Sequence, residues 1–364
     1  MADRAKRQSN IELLRIIAAC GVIILHYNNP NIGGGFAAVN DGSINQGILT
    51  FFESLSICAV NLYVLISGYF MRDSMKRDFL KPVELIAQLI IIELAFCLIK
   101  ELPKGSGLDF ETVLEYFTPS YWFIFVYIAL YLISPYINLV WSHLNDSGKK
   151  NLLLILTGLF SVYAVIVDIV QYYYQNDIYG ASTIGLFGSQ SGYTIVNFVL
   201  VYLIGCYLKD CEEKGKKTGT GKLVLLLALT VAAIFGLTFL DKSITGRAIF
   251  DTTAYNYEHP LVIIEAVLVF LIFRNINIGS SKVINKLAVA SFPAYLIHMN
   301  LLEYCGVEQF VQENAALLTA HILGCTIIMY LISFGIFLIY DLVTKPLFAV
   351  IAKHWKKRTY SVNI

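Results

Sequence analysis

The first apolar segment of the chain, NIELLRIIAACGVIILHY, carries three ionisable residues whose types and spacing could support chemistry. Glu12 and Arg15 are three residues apart, so they share one face if the segment is helical. Arg15 and His26 are separated by close to three helical turns, about 16 Å along the axis, which places them on nearly the same face. A guanidinium pairs well with phosphate, and an imidazole accepts a proton from a hydroxyl near neutral pH.

This spacing suggests a site for a donor with phosphates at one end and a thioester at the tip of a long arm, as in coenzyme A. Arg15, at the cytoplasmic headgroup level, would bind phosphate, and the arm would extend through the membrane toward His26. Direct attack by the deprotonated hydroxyl would then form an ester without a covalent enzyme intermediate. The alternative is that Arg15 only extends its charge to the interface and that His26 is an interfacial histidine.

A second histidine, His298 in SFPAYLIHMN, is predicted at a depth similar to that of His26. The two could form one site, or could simply hydrogen-bond to each other or to a backbone carbonyl. Ionisable groups inside membrane spans are costly and tend to be functional, so an intramembrane carboxylate could orient His26 and stabilise its imidazolium. The sequence does not select among the four candidates, which are Glu53, Glu93, Asp168 and Glu265.

Composition places these residues in a membrane protein. Of 364 residues, 57% are hydrophobic and only 15% are charged, whereas about 25% of residues are charged in an average soluble domain. The net charge of +1 gives no basic field for nucleic acid, so a nucleic-acid partner is not expected. The seven cysteines form no Cys-x-x-Cys pair, and neither a metal site nor a disulfide framework is expected.

Ten apolar segments are long enough to span a bilayer. If the N-terminus is cytoplasmic, 23 of the 27 Lys and Arg residues fall on the cytoplasmic side, as the positive-inside rule requires, and both termini are cytoplasmic. The first segment is expected to be a permanent span and not a cleaved signal. The sequence predicts an all-α polytopic bundle forming one domain over 1–364, with basic tails at 1–9 and 343–364. The predicted spans are 11–28, 47–71, 82–100, 120–141, 151–171, 193–208, 222–240, 259–274, 283–304 and 315–342.

Four segments resemble, in order over residues 10–300, the membrane acyltransferase 3 family. The first resembles that family's opening helix through Glu12, Arg15 and His26, with Glu12 where Asp is usual. NLYVLISGYFM is similar to its Ser-Gly helix end, and YWFIFVYIALYLISPYIN to its Trp-to-Pro helix. SFPAYLIHMN resembles its Tyr-Leu-x-His segment through Tyr295 and His298.

The resemblance implies an integral-membrane O-acyltransferase. It would move an acyl group, commonly acetyl, from cytoplasmic acyl-CoA to a hydroxyl of a cell-surface glycan or a lipid-linked glycan precursor. Acyl-CoA would be a co-substrate, with no permanently bound cofactor, and a bacterial plasma or inner membrane is the expected location. No appended esterase-like domain, which some family members carry, is expected. The resemblance implies roles for Arg15, His26 and, less directly, His298.

The basic segment after the second span is assigned to the donor's phosphates, although its charges also fit ordinary positive-inside bias. It contains Arg72, Lys76, Arg77 and Lys81. Ser67 could be an acyl-carrying nucleophile, but its predicted cytoplasmic depth favours helix packing together with Gly68. Two other functions stay open, namely a transporter of an amino acid or small solute and a scaffold for glycan assembly. The oligomeric state is open as well.

Overall fold

A computed structural model describes residues 8–104, 109–117, 121–174, 178, 181, 184, 190–355 and 359–362. Arg4, Lys6, Arg7 and the basic run 356–358, which contribute to the predicted charge asymmetry, lie outside these residues. In the first half of the chain the helices are α1 (Ser9–Asn28), α2 (Gly35–Ala38), α3 (Ile44–Ser56), α4 (Ala59–Met71), α5 (Leu80–Glu101), α6 (Phe110–Phe117), α7 (Trp122–His143), α8 (Asp146–Thr157) and α9 (Ala164–Tyr174).

The second half continues the helical pattern. Two short strands, β1 (Lys76–Asp78) and β2 (Thr359–Ser361), pair antiparallel and attach the C-terminal segment to the turn between α4 and α5. A π-helical stretch, Gly158–Tyr163, joins α8 to α9. The remaining helices are α10 (Ile195–Glu213), α11 (Thr220–Thr245), α12 (Pro260–Asn275), α13 (Lys282–Leu287), α14 (Ser291–Leu302), α15 (Val307–Val311) and α16 (Ala315–His354).

Within the described residues, eight helical segments are long and apolar enough to cross a membrane, where the sequence predicted ten. The other two predicted spans are helical but do not meet both criteria. The last two turns of α10 contain four charged residues, Lys209, Asp210, Glu212 and Glu213, which shorten its apolar part. The predicted span 283–304 is divided by a short 3-10 turn, Ala288–Ala290, between α13 and α14. The protein is therefore a helical, multi-pass membrane protein.

The last helix is longer than its predicted span. α16 continues past residue 342, through Pro346, to His354, so much of the segment predicted as a basic tail is helical. A proline inside a helix removes one backbone hydrogen bond, but membrane helices tolerate this loss, and α16 continues beyond Pro346.

α1 lies at the centre of the bundle and contacts α3, α4, α12, α13, α14 and α16. Its apolar side chains Leu14, Val22 and Ile23 are buried, which accounts for the nearly continuous apolar character of the segment. The helix ends where Asn29 and Pro30 follow, because the residue before a proline disfavours helical geometry. Helices on several sides therefore fix the position of α1 and, with it, the positions of Glu12, Arg15 and His26.

α4 and α10 cross at very close range. A Cβ atom added at Gly68 would lie 2.0 Å from the carbonyl oxygen of Tyr202, and one added at Gly205 would lie 2.3 Å from that of Leu65. Only glycine allows two helix backbones to approach so closely. The interpretation of the Ser67-Gly68 pair as a packing feature thus agrees with the geometry at Gly68.

Candidate active site

His26 is held at the outer end of α1 by the turn that follows it. The backbone N–H of Gly33 donates to the carbonyl oxygen of His26 at 2.9 Å, so the chain folds back over the helix end. A Cβ atom at Gly33 would lie 2.7 Å from that same oxygen, and this closeness requires glycine. Asn28 anchors the helix end to α3 by donating to the Leu49 carbonyl at 3.0 Å and to the Glu53 carboxylate at 2.9 Å.

The structure brings His26 and His298 into direct contact. Nδ1 of His26 is hydrogen-bonded to Nε2 of His298, and the ring planes are inclined by 7° with centroids 4.7 Å apart, so the rings meet edge to edge. Nδ1 of His298 lies 2.7 Å from the carbonyl oxygen of Ala294, one turn earlier on α14. These two contacts join α1 to α14 across the interior of the bundle.

The bond to Ala294 determines how the protons are distributed in the neutral pair. A carbonyl oxygen can only accept, so Nδ1 of His298 carries the proton and Nε2 of His298 presents a lone pair. Nδ1 of His26 must then donate to it, which leaves Nε2 of His26 as a free base. His298 is fully buried, whereas part of His26 remains accessible. Of the two, His26 is the one that can meet a substrate.

Among the described residues, none of the four intramembrane carboxylates is hydrogen-bonded to His26, and three of them have other partners. Glu53 accepts from Asn28, and Glu93 accepts from Tyr121 at 2.6 Å and from Asn300 at 3.0 Å. Asp168 accepts from Asn256 at 3.1 Å, and Glu265 is buried on α12. The position in which a carboxylate was expected to orient His26 is thus taken by an imidazole.

A cavity of about 370 Å³ opens between α1, α4, α5, α7 and α14 on the side predicted to be cytoplasmic. Arg15 and Lys81, near the N-terminal ends of α1 and α5, line it together with Val22 and Tyr295, which lie further along α1 and α14. Val22 precedes His26 by about one helical turn, and Tyr295 precedes His298 by the same interval. The cavity, called the inner cavity below, therefore leads from two cations toward the histidine pair.

The Arg15 guanidinium has one ionic partner and stays partly exposed. Its Nη1 atom lies 3.0 Å from the carboxylate of Glu12, which is largely buried, while 38% of the Arg15 side chain remains exposed. The hydroxyl of Tyr63 donates to the Arg15 carbonyl at 3.0 Å. Glu12 thus orients the guanidinium toward the cavity and leaves other N–H groups available.

The predicted phosphate-binding residues occupy different environments. Lys81 lines the inner cavity, with Glu84 at 3.8 Å. Arg72 is paired with Asp73, Asp210 and Glu213, and Lys76 is exposed on β1. Arg77 is buried and donates to the Ser134 hydroxyl at 2.7 Å and to the Tyr131 carbonyl at 3.1 Å. Of the four, the structure places Lys81 beside the same cavity as Arg15.

A second pocket, of about 320 Å³, is bordered by residues of α5, α6 and α14 and was not foreseen from the sequence. Met299 and Asn300, which directly follow His298, form part of its wall, so α14 borders both cavities. The only sequence signal for this pocket was Glu93, an intramembrane carboxylate. Its hydrogen-bond partners come from distant segments, so the sequence did not show which residues would meet it. The pocket, called the outer pocket below, is lined by Glu93, Glu101, Glu115, Tyr116, Tyr121, Met299 and Asn300.

These features define a multi-pass helical membrane protein with a buried histidine pair and with two cavities that both border α14. The family model described as "Acyltransferase domain", of the acyltransferase 3 family, matches residues 8–355, nearly the whole chain. The chain belongs to this family and is a membrane acyltransferase. Comparisons with curated proteins and with solved structures gave no significant match.

Proposed function

We propose that the protein transfers an acyl group, acetyl in the simplest case, from cytoplasmic acyl-CoA to a hydroxyl of an extracytoplasmic glycan or lipid-linked glycan precursor. The observation that carries this proposal is the position of the His26–His298 pair. Along α14, His298 stands between Tyr295, which lines the inner cavity together with Arg15 and Lys81, and Met299 and Asn300, which line the outer pocket. A bacterial plasma or inner membrane is the proposed location.

The inner cavity suits the donor. Arg15 and Lys81 can bind phosphate at its mouth, because both are cations with N–H groups facing an accessible surface. The apolar residues Val22, Ile66 and Phe123 line the path inward and can enclose the arm of coenzyme A. The thioester at the tip of the arm then lies within about one helical turn of the histidines.

The chemistry is general-base acyl transfer. Nε2 of His26 takes the proton of the acceptor hydroxyl, and the oxygen attacks the thioester carbonyl. The thiolate leaves and receives the proton back from Nε2, so the products are the ester and free coenzyme A. Throughout the cycle Nδ1–H of His26 donates to His298, which stabilises the imidazolium and fixes the orientation of the ring.

The outer pocket suits a polyhydroxyl acceptor. Its carboxylates, the amide of Asn300 and the ring of Tyr116 offer hydrogen-bond acceptors, donors and an aromatic face. These are the groups that sugar hydroxyls and sugar rings contact, although Glu93 and Asn300 are also hydrogen-bonded to each other. This lining supports the choice of a glycan class without identifying the sugar.

The test is ester formation by the purified protein in vesicles, with acetyl-CoA on one side and the glycan on the other, joined to mass analysis of surface glycans from cells with and without the protein. His26→Ala is expected to lower transfer by about 10²- to 10⁴-fold, the usual contribution of a general base. His143→Ala is the matched control, because His143 is exposed at the end of α7 and bonds to its own helix. Normal ester content with His26→Ala, at normal protein level, would refute the proposal.

A further inference from the structure

We propose that Gln88 recognises an amide of the pantetheine arm of the acyl-CoA donor inside the inner cavity. This inference rests on the proposed function, because it assigns a specific contact to the donor. It concerns a residue for which neither the charge pattern nor the family resemblance suggests a role.

Gln88 lies on the inner face of α5, at some depth in the cavity. Lys81, Leu85 and Gln88 are spaced by four and three residues, so they form a single stripe on the helix, and all three line the cavity. The step from Lys81 to Gln88 corresponds to about 10 Å along the helix axis. A donor whose phosphates bind at Lys81 must therefore pass its arm beside Gln88 on the way to the histidines.

The amide nitrogen of Gln88 lacks a hydrogen-bond partner among the described residues. The residue is only 9% exposed, and its Nε2 atom has no hydrogen-bond partner among the residues that the structure describes. It occurs in the apolar run LIAQLIIIEL, where a leucine would fill the same space without an unsatisfied group. A buried N–H group without an acceptor is unfavourable, and a ligand carbonyl at this depth would supply the acceptor.

The rest of the cavity wall narrows the chemical class of that ligand. The Ser67 hydroxyl already donates to the Tyr63 carbonyl at 2.8 Å, and the Ser291 hydroxyl contacts that of Tyr330 at 3.3 Å. Most of the other residues that line the cavity are apolar or aromatic, Val60, Ile66 and Phe123 among them.

Such a passage fits a neutral, mostly aliphatic chain with an amide in it, which describes the pantetheine arm. A phosphate at this depth would lack a cation, and a lipid tail would leave the Gln88 amide without a partner. The cations are at the mouth, where the phosphates of the same donor would lie.

The experiment compares the wild type with Gln88→Leu on acetyl-CoA and on two synthetic acetyl-CoA analogues. In each analogue one of the two pantetheine amides is replaced by a pair of methylene groups. Gln88→Leu is expected to raise the KM for acetyl-CoA by about 3- to 10-fold with kcat little changed, the usual effect of losing one hydrogen bond. For the analogue that lacks the recognised amide, wild type and variant should have the same KM.

Gln171→Leu is the matched control. Gln171 on α9 is also buried, at 4% exposure, and both of its amide atoms lack partners among the described residues, but it does not line the inner cavity. Its replacement should change thermal stability as Gln88→Leu does, without raising the KM for acetyl-CoA. The comparison therefore separates a donor contact from the general effect of removing a buried amide.

The possible failures are distinguishable. If the wild type transfers acetyl groups and Gln88→Leu has an unchanged KM, or raises the KM for all three donors equally, the role of Gln88 is refuted and the proposed function stands. If the wild type neither transfers acetyl groups nor binds coenzyme A in an equilibrium binding assay, both proposals are refuted.

Discussion

A single hydrogen bond, from Nδ1–H of His298 to the Ala294 carbonyl, determines which nitrogen of the histidine pair is basic. In catalytic triads a carboxylate holds the histidine in the correct tautomer and also offsets the charge of the imidazolium. Here the neutral imidazole of His298 occupies that position. It mainly fixes the orientation and the tautomer of His26, and it stabilises the imidazolium less than a carboxylate would. His298 is fully buried and acts through His26, which makes it a positioning residue.

Replacement of His298 should therefore affect turnover more than donor binding. His298→Leu removes the acceptor for Nδ1–H of His26, which then no longer has a fixed tautomer, and we expect kcat to fall by about 10²-fold or more with the KM for acetyl-CoA little changed. His298→Asn retains a side-chain oxygen that can accept, and should recover part of the lost kcat. Equal losses in the two variants, or a loss confined to KM, would contradict the positioning role.

The sequence identified residues better than it identified their partners. Arg15, His26 and His298 stand out because ionisable groups are rare inside apolar runs. The partner of His26 lies 272 residues away in the chain, and no local pattern predicts such a contact. For the same reason the sequence assigned the whole basic segment after α4 to the phosphates. In the structure, Arg72 pairs with Asp210 and Glu213 of a distant helix. Lys81, in contrast, lines the inner cavity.

At the scale of elements, the crossing of α4 and α10 sets the position of the cavity wall. α4 contributes Val60, Tyr63, Ile66 and Ser67 to the inner cavity, and its backbone position depends on the contact at Gly68. The 3-10 turn that separates α13 from α14 has a similar effect, because Ala288 and Val289 of the turn also line the cavity. The interruption that shortens a predicted span is thus part of the site.

Gly68→Ala should destabilise the protein. The added Cβ atom would lie 2.0 Å from a backbone oxygen of Tyr202, which cannot move without shifting α10, and overpacking of this kind costs about 1–3 kcal/mol or more. Gly236→Ala, in the middle of α11 with no atom within 4 Å of the added Cβ, should be neutral or stabilising by about 0.5–1 kcal/mol. Thermal unfolding of the two variants in the same detergent measures the difference. Equal midpoints would show that the helices are not in close contact at Gly68.

The sequence predicted where helices occur more reliably than where they break or end. Apolar length predicts a span because every lipid-facing stretch must be apolar. A π-helical stretch such as Gly158–Tyr163 leaves no comparable signal in composition, and the extension of α16 to His354 crosses Pro346 and two lysines, Lys345 and Lys353. Apolar length, the signal that a single sequence offers for a span, therefore predicts neither feature.

At the scale of the whole molecule, the proposed reaction depends on which side of the membrane the inner cavity faces. The distribution of Lys and Arg predicts that the ends of the chain, and with them Arg15 and Lys81, face the cytoplasm, where acyl-CoA is found. In the proposed reaction, the donor then approaches the histidine pair from inside and the acceptor from outside. A reversed orientation would present the cations to the wrong compartment and exclude the mechanism.

The two ends of α11 offer a matched test of this orientation. Lys217 and Ser243 are both exposed and flank the same helix, Lys217 on the predicted cytoplasmic side and Ser243 on the outer side. The partly exposed native cysteines Cys20, Cys211 and Cys305 are first replaced by serine, while the buried ones are kept because they do not meet the reagent. A membrane-impermeant maleimide applied to intact cells should label Ser243→Cys and leave Lys217→Cys unlabelled. Both should be labelled after permeabilisation. Labelling of Lys217→Cys alone in intact cells would place Arg15 and Lys81 outside, where acyl-CoA cannot reach them.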